Sequence, residues 1–125
     1  MGWQLDKNRP IYIQLVEELQ SRIGSGAYPP GAKVDSVRDL AAEAAVNPNT
    51  MQRALAELEQ SGLLRAERTS GRFVTEDEEL IAAVRKSLAK EKIEAFVRDM
   101  SVLGYRKQDM IILVKETLEG EDNYG

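Results

Sequence analysis

The sequence has no cysteine and no histidine in 125 residues. The first absence removes disulfides, thiolate zinc sites, iron–sulfur clusters and thiol nucleophiles. The second removes the usual general base, the commonest metal ligand and the neutral-pH switch. No phosphate-cradling glycine loop of the P-loop or dinucleotide type occurs either. These gaps argue against a conventional hydrolase or metalloenzyme, and no catalytic residue, cofactor or metal site is expected. Long apolar runs are missing too: none approaches 18 residues, so no transmembrane helix is expected. The start, MGWQLDKNRP, carries charge early and lacks the apolar stretch of a signal peptide. A cytoplasmic location is the default expectation, and the lack of cysteine agrees with it.

What is present describes a soluble globular chain, 42% hydrophobic and 30% charged. Its length suits one domain, or a small domain with an appendage. The 17 basic and 21 acidic side chains give a net charge of −4, which taken globally speaks against nucleic acid as a partner. The charge is unevenly spread. Residues 1–75 hold 9 basic side chains (Lys7, Arg9, Arg22, Lys33, Arg38, Arg53, Arg65, Arg68 and Arg72) and 9 acidic ones, so the whole deficit lies in residues 76–125. Phosphate binding needs a local positive face, not a basic protein.

Helical spacing and caps give the elements. Pro10 suits a helix start, and Tyr12, Leu15, Val16, Leu19 and Ile23 recur on one face, giving a helix over about 10–24 that ends at Gly24-Ser25-Gly26. Ser36 caps a second helix over about 36–44, with Asp39 placed as in a capping box. Asn47 and Pro48 open a third over about 48–61, which turns Met51, Ala54, Leu55 and Leu58 inward and stops at Gly62. Two helices joined by so short a turn have helix-turn-helix geometry. Two short runs around Thr69-Ser70-Gly71 predict a β-hairpin. Three helices and a hairpin make a winged helix, mainly α, over residues 1–75. Residues 76–125 predict one helix of about 25 residues, stopped by Gly104, then a last helix over about 107–118 and a frayed tail from Glu119.

The third helix carries the chemistry. At 100° per residue, Asn49, Arg53, Ala56 and Gln60 point outward, with Thr50 and Gln52 on the flanks. Such side chains can bond base edges and phosphates, and Ala56 allows close approach to a surface. An isolated helix with this face would simply be solvated. In a helix-turn-helix, however, the second helix enters the major groove with its N-terminal residues leading. Asn47 stands at that end but also serves as the cap. Arg38 sits in the first turn of the second helix, against the dipole, which points to a use elsewhere. Arg65, Arg68 and Arg72 surround the hairpin tip with only Glu67 opposing, which suits minor-groove or phosphate contact.

Over residues 10–74 the sequence resembles the DNA-binding domain of the GntR family. The shared motifs are Pro-x-Tyr-x-Gln, Gly-x-x-x-Pro-Gly, Ser-x-Arg-x-Leu-Ala, Asn-Thr-x-x-Arg-Ala-Leu-x-x-Leu, Gly-Leu and Gly-x-Phe-Val. Leu5-Asp6, the Asn-Pro-Asn-Thr entry to the third helix and the short two-helix tail resemble the YtrA subfamily. The resemblance implies a bacterial transcription regulator, usually a repressor, binding a pseudo-palindromic operator as a homodimer. It implies DNA-facing roles for Ser36, Arg38, Asn47, Asn49, Thr50, Gln52, Arg53, Ser70, Gly71 and Arg72, beside Arg68 and Thr69 at the basic tip. Pro48 and Gln52 stand where relatives often carry arginine, Val34-Asp35 replaces a common Leu-Pro, and Ala45 occupies a turn position where glycine is frequent.

The tail is too short for a large effector domain. Its apolar stripes need cover from the other domain or from a second chain. The second option makes residues 76–125 a dimerisation region, with Leu80, Ile81, Val84, Leu88, Phe96, Met100, Leu113 and Val114 at the interface. Two competing functions remain open. One is a winged helix used as a protein-interaction module, and the other is a small-molecule-responsive regulator with an effector pocket in the helical tail.

Overall fold

The computed structural model describes the backbone of residues 3–124 and the side chains of residues 3–120. The helices are α1 (Ile11–Gly24), α2 (Val37–Ala44), α3 (Pro48–Gln60), α4 (Glu78–Val102) and α5 (Lys107–Tyr124), and the strands are β1 (Leu64–Glu67) and β2 (Gly71–Val74). The strands pair antiparallel, with Leu64 opposite Val74 and Glu67 opposite Gly71. This is a mainly helical winged helix-turn-helix, as the periodicity predicts. No helix among the described residues is long and apolar enough to cross a membrane.

The chain divides into two compact units, residues 1–86 and 87–125. In the first, α1, α2 and α3 close over one core. Leu15, Leu19, Leu40, Met51, Leu55, Leu58, Leu63 and Val74 are essentially inaccessible to water. The helical ones come from the apolar faces that the periods of α1, α2 and α3 predict, while Leu63 enters from the turn after α3 and Val74 from β2. Ile81, from the first turn of α4, is buried in the same core, with Leu80 and Val84 partly buried against it. All three were expected at a dimer interface; the first unit itself buries Ile81 and covers Leu80 and Val84 in part. An amphipathic stripe reports that a face is covered but not by what.

The ends of the elements follow local chemistry. The Ser36 hydroxyl accepts the Asp39 N–H at 3.1 Å, and the Asn47 side chain accepts the Asn49 N–H at 2.7 Å. Between them Ala45 takes a left-handed conformation, φ 57°, and so turns the chain from α2 into α3 without glycine. Asp77 caps α4 by accepting from the Glu79 and Leu80 N–H groups. Gly104, at φ 93°, separates α4 from α5. The helical backbone of α5 runs on to Tyr124, past the end expected at Leu118, so the tail from Glu119 is helical rather than frayed; Gly125 lies outside the described residues.

Two polar knots tie the start of the chain to the first unit. Buried Gln14 accepts from the Asp6 N–H and donates to the Asp6 carbonyl, each at 2.6 Å. The guanidinium of Arg22 lies 4.5 Å from the Trp3 ring centroid and binds Glu18 and Glu43 at 3.0 Å. Burial alone would lower the Arg22 pKa, but bonds to Tyr28, Glu18 and Glu43 outweigh it and hold the cation firmly charged. Burial in turn raises the Tyr28 phenol, against the opposing pull of Arg22.

Candidate nucleic-acid interface

The first unit brings together three groups that are separate in sequence. The first is the N-terminal half of α3, where Asn47, Asn49, Gln52, Arg53 and Ala56 are exposed and Thr50 is half-buried. The inward face is filled by Met51, Ala54, Leu55 and Leu58, so the outward polar set is fixed by the helix period. Asn47 spends its side-chain oxygen on the cap but keeps its amide donors.

The second group is the start of α2. Ser36 and Arg38 are exposed there, and Arg38 makes no ion pair among the described residues. A cation in the first turn of a helix opposes the dipole by a few tenths of a kcal/mol. No acidic partner offsets that cost.

The third group is the wing. The segment before α2 runs alongside β2: the Val34 N–H donates to the Arg72 carbonyl and the Val74 N–H to the Ala32 carbonyl, both at 2.9 Å. This added edge clamps the hairpin to the entry of α2. The result is a groove of about 480 Å³ lined by residues that include Lys33, Ser36, Arg38, Thr69, Ser70 and Arg72. Gly71 is required where it stands. Its φ is +102°, and a Cβ there would lie 3.2 Å from Lys33 Cε.

The basic tip is less free than its composition suggests. Arg65 pairs with Glu67 and lies over the Phe73 ring, 5.1 Å from its centroid. Arg72 pairs with Glu59 of α3, which corrects the expectation that Glu67 alone opposes the tip. Arg68, Thr69 and Ser70 are exposed. Arg53 behaves differently again: its guanidinium carbon sits 3.6 Å from the centroid of the Tyr12 ring on α1, with no ion pair among the described residues.

Sequence reasoning missed two members of this surface. Lys33 lies in a segment too short to show a strand period, so its pairing with β2 had no local signal. Tyr12 reads as one more residue of the α1 stripe, and only the packing of α1 on α3 reveals the contact with Arg53.

The second unit holds an apolar groove of about 360 Å³ lined by Phe96, Met100, Leu113, Val114, Thr117 and Leu118. Met110 is buried, but Phe96, Val114 and Leu118 are exposed, as are Ile93, Ile111 and Ile112. Leu88, Met100 and Leu113 are half-buried.

A family model described as "Bacterial regulatory proteins, gntR family" matches residues 11–74. The transcriptional regulator YhcF of Bacillus subtilis is 35% identical over 120 residues, spanning 96% of this chain and 99% of that one. The transcriptional repressor YtrA of the same organism is 30% identical, over 86% of this chain and 83% of its own length. Among solved structures, a GntR family transcriptional regulator from Listeria monocytogenes superposes with a TM-score of 0.81 at 40% identity, covering 90% of this chain and 98% of that one. The DNA-binding domain of AraR in complex with operator ORX1 matches at 29% identity and a TM-score of 0.52, covering 60% of this chain and 92% of that one.

Proposed function

Since the chain belongs to the GntR family of bacterial regulatory proteins, DNA-binding transcriptional regulators rather than enzymes, we propose that it binds an operator as a homodimer and represses by promoter occlusion. In this reading α3 enters the major groove. Asn49, Thr50, Gln52 and Arg53 meet base edges there, with the Asn47 amide beside them. Ser36, Arg38 and Lys33 take phosphates at the entry of α2, and Arg68, Thr69, Ser70, Gly71 and Arg72 place the wing on the backbone or minor groove.

The observation that carries this reading is the exposed polar end of α3 in the same unit as a groove lined by Lys33, Arg38 and Arg72. The AraR domain, seen on its operator, supports DNA as the ligand of such a domain. Similarity to YtrA supports the YtrA-like subfamily and the repressor role, and a regulator that binds a bacterial operator works in the cytoplasm.

The homodimer is assigned to the second unit, through Phe96, Met100, Leu113 and Val114, with Leu88 at its edge. So much exposed apolar surface on two helices needs cover. A two-fold axis would space two α3 helices about one DNA turn, roughly 34 Å, apart and demand a pseudo-palindromic operator. The same groove supports a second reading, an apolar effector that shifts DNA affinity.

The deciding assay is a gel shift on operator DNA with Arg38→Ala and Arg53→Ala. Each substitution is expected to weaken binding roughly tenfold, or about 1.4 kcal/mol. Unchanged affinity in both variants, or no binding by the wild type to any sequence at low salt, would favour a protein-interaction module.

A further inference from the structure

Arg53 is held in a way that no other arginine of the first unit is. Its guanidinium lies 3.6 Å from the Tyr12 ring centroid, the distance of face-on stacking, while the residue as a whole remains exposed. A guanidinium stacked by its face keeps its in-plane N–H donors pointing away from the ring. Among the described residues those donors reach no carboxylate and no carbonyl. Arg22 also stacks on a ring, but Glu18 and Glu43 use its donors and the side chain is nearly buried. Arg65 and Arg72 are neutralised by Glu67 and Glu59.

The ring beneath Arg53 is itself fixed. Tyr12 lies in the first turn of α1, half-buried. The helix under it is locked to α3 through Leu15, Leu19, Leu55 and Leu58, all inaccessible to water. Gln14, two residues on, ties the preceding turn to the same helix. Tyr12 is therefore a rigid plate beneath a long side chain that would otherwise sample many rotamers.

Resting on the DNA-reading role proposed above, we propose that Tyr12 is a positioning residue: it stacks Arg53 in advance so that the guanidinium fork meets one base pair per half-site in a single orientation. A fork so held favours two adjacent acceptors in a plane, the pattern of guanine O6 and N7. Removing the plate leaves the cation in place but spreads its orientations. Affinity then falls modestly, and preference at that base pair falls with it.

The test is a double-mutant cycle on the full chain, using a duplex recovered by wild-type protein from a random library. Tyr12→Leu is expected to weaken binding about three- to fivefold, the scale of an exposed cation–π contact, and to flatten base preference at one position of each half-site. Tyr12→Phe keeps the ring and is expected to bind like the wild type. In an Arg53→Ala background, Tyr12→Leu is expected to cost nothing more. An equal cost in both backgrounds, or an unaltered base preference, overturns the inference while leaving operator binding standing. Failure of the wild type to enrich any sequence overturns both. A readout on free wild-type protein stands apart from any variant's folding. The Arg53 side-chain protons are expected to show upfield ring-current shifts by NMR, and random-coil shifts there overturn the stacking.

Discussion

Ala45 shows how closely residue chemistry sets the reading head. It holds φ 57° between α2 and α3, a conformation that costs an L-residue roughly 1–2 kcal/mol. The residue is exposed, so nothing about its methyl group compels alanine. Ala45→Gly is expected to raise stability by about 1 kcal/mol in chemical denaturation, with DNA affinity unchanged. A loss of stability would mean that the turn is set by something other than backbone strain. Positions governed by neighbours along the chain were legible in the sequence. Ser36 and Asn47 cap where they were expected to, because a cap needs only the next two or three residues. Contacts made across the fold were not legible. The stack of Arg53 on Tyr12 and the contacts of Arg22 with Trp3 and Glu43 join residues far apart in sequence, and no local pattern announces them.

The wing is the element that depends most on long-range support. Two four-residue strands are marginal alone, and the hairpin is steadied by the segment from Gly31 to Val34 and by the Arg72–Glu59 pair. Gly71→Val should therefore do local damage, since the site holds φ +102°, a conformation a β-branched residue strongly resists, with Lys33 Cε only 3.2 Å from the new Cβ. The expected outcome is at least a several-fold loss of DNA affinity, with faster amide exchange confined to residues 64–74 and slow exchange kept in α1 and α3. Global unfolding would show instead that the wing is part of the first unit's core. The hairpin itself was readable from two runs about a turn. Its clamp was not, because three or four residues cannot display an alternating period. The helices were read with bounds close to those found, as a 3.6-residue period accumulates over 13 or 14 residues in α3 and α1. The end of α5 was placed too early because polar residues after Leu118 carry no apolar face to follow.

At the scale of the whole molecule, charge and cover divide the work. The net −4 belongs to residues 76–125, leaving a neutral winged half in which Lys33, Arg38 and Arg72 line one groove. An acidic remainder that repels phosphate would confine DNA to that side. The apolar groove of the second unit is the surface assigned to the partner copy, and Val114, exposed at its rim, offers a mild probe. Val114→Asp should shift sedimentation toward the 14.0 kDa monomer and weaken operator binding by tenfold or more, while the first unit's thermal transition stays unchanged. A variant that remains dimeric would move the interface elsewhere. The central claim is that the α3 edge of the first unit reads DNA as one half of a two-fold pair. Its most direct test is selection of bound duplexes from a random library by the full chain, followed by footprinting. The account predicts an enriched palindrome whose half-sites are centred about one helical turn apart, with protection lost on Arg53→Ala. Enrichment of no sequence at low salt, or protection that survives Arg38→Ala and Arg53→Ala but vanishes on changes within residues 87–118, would contradict it.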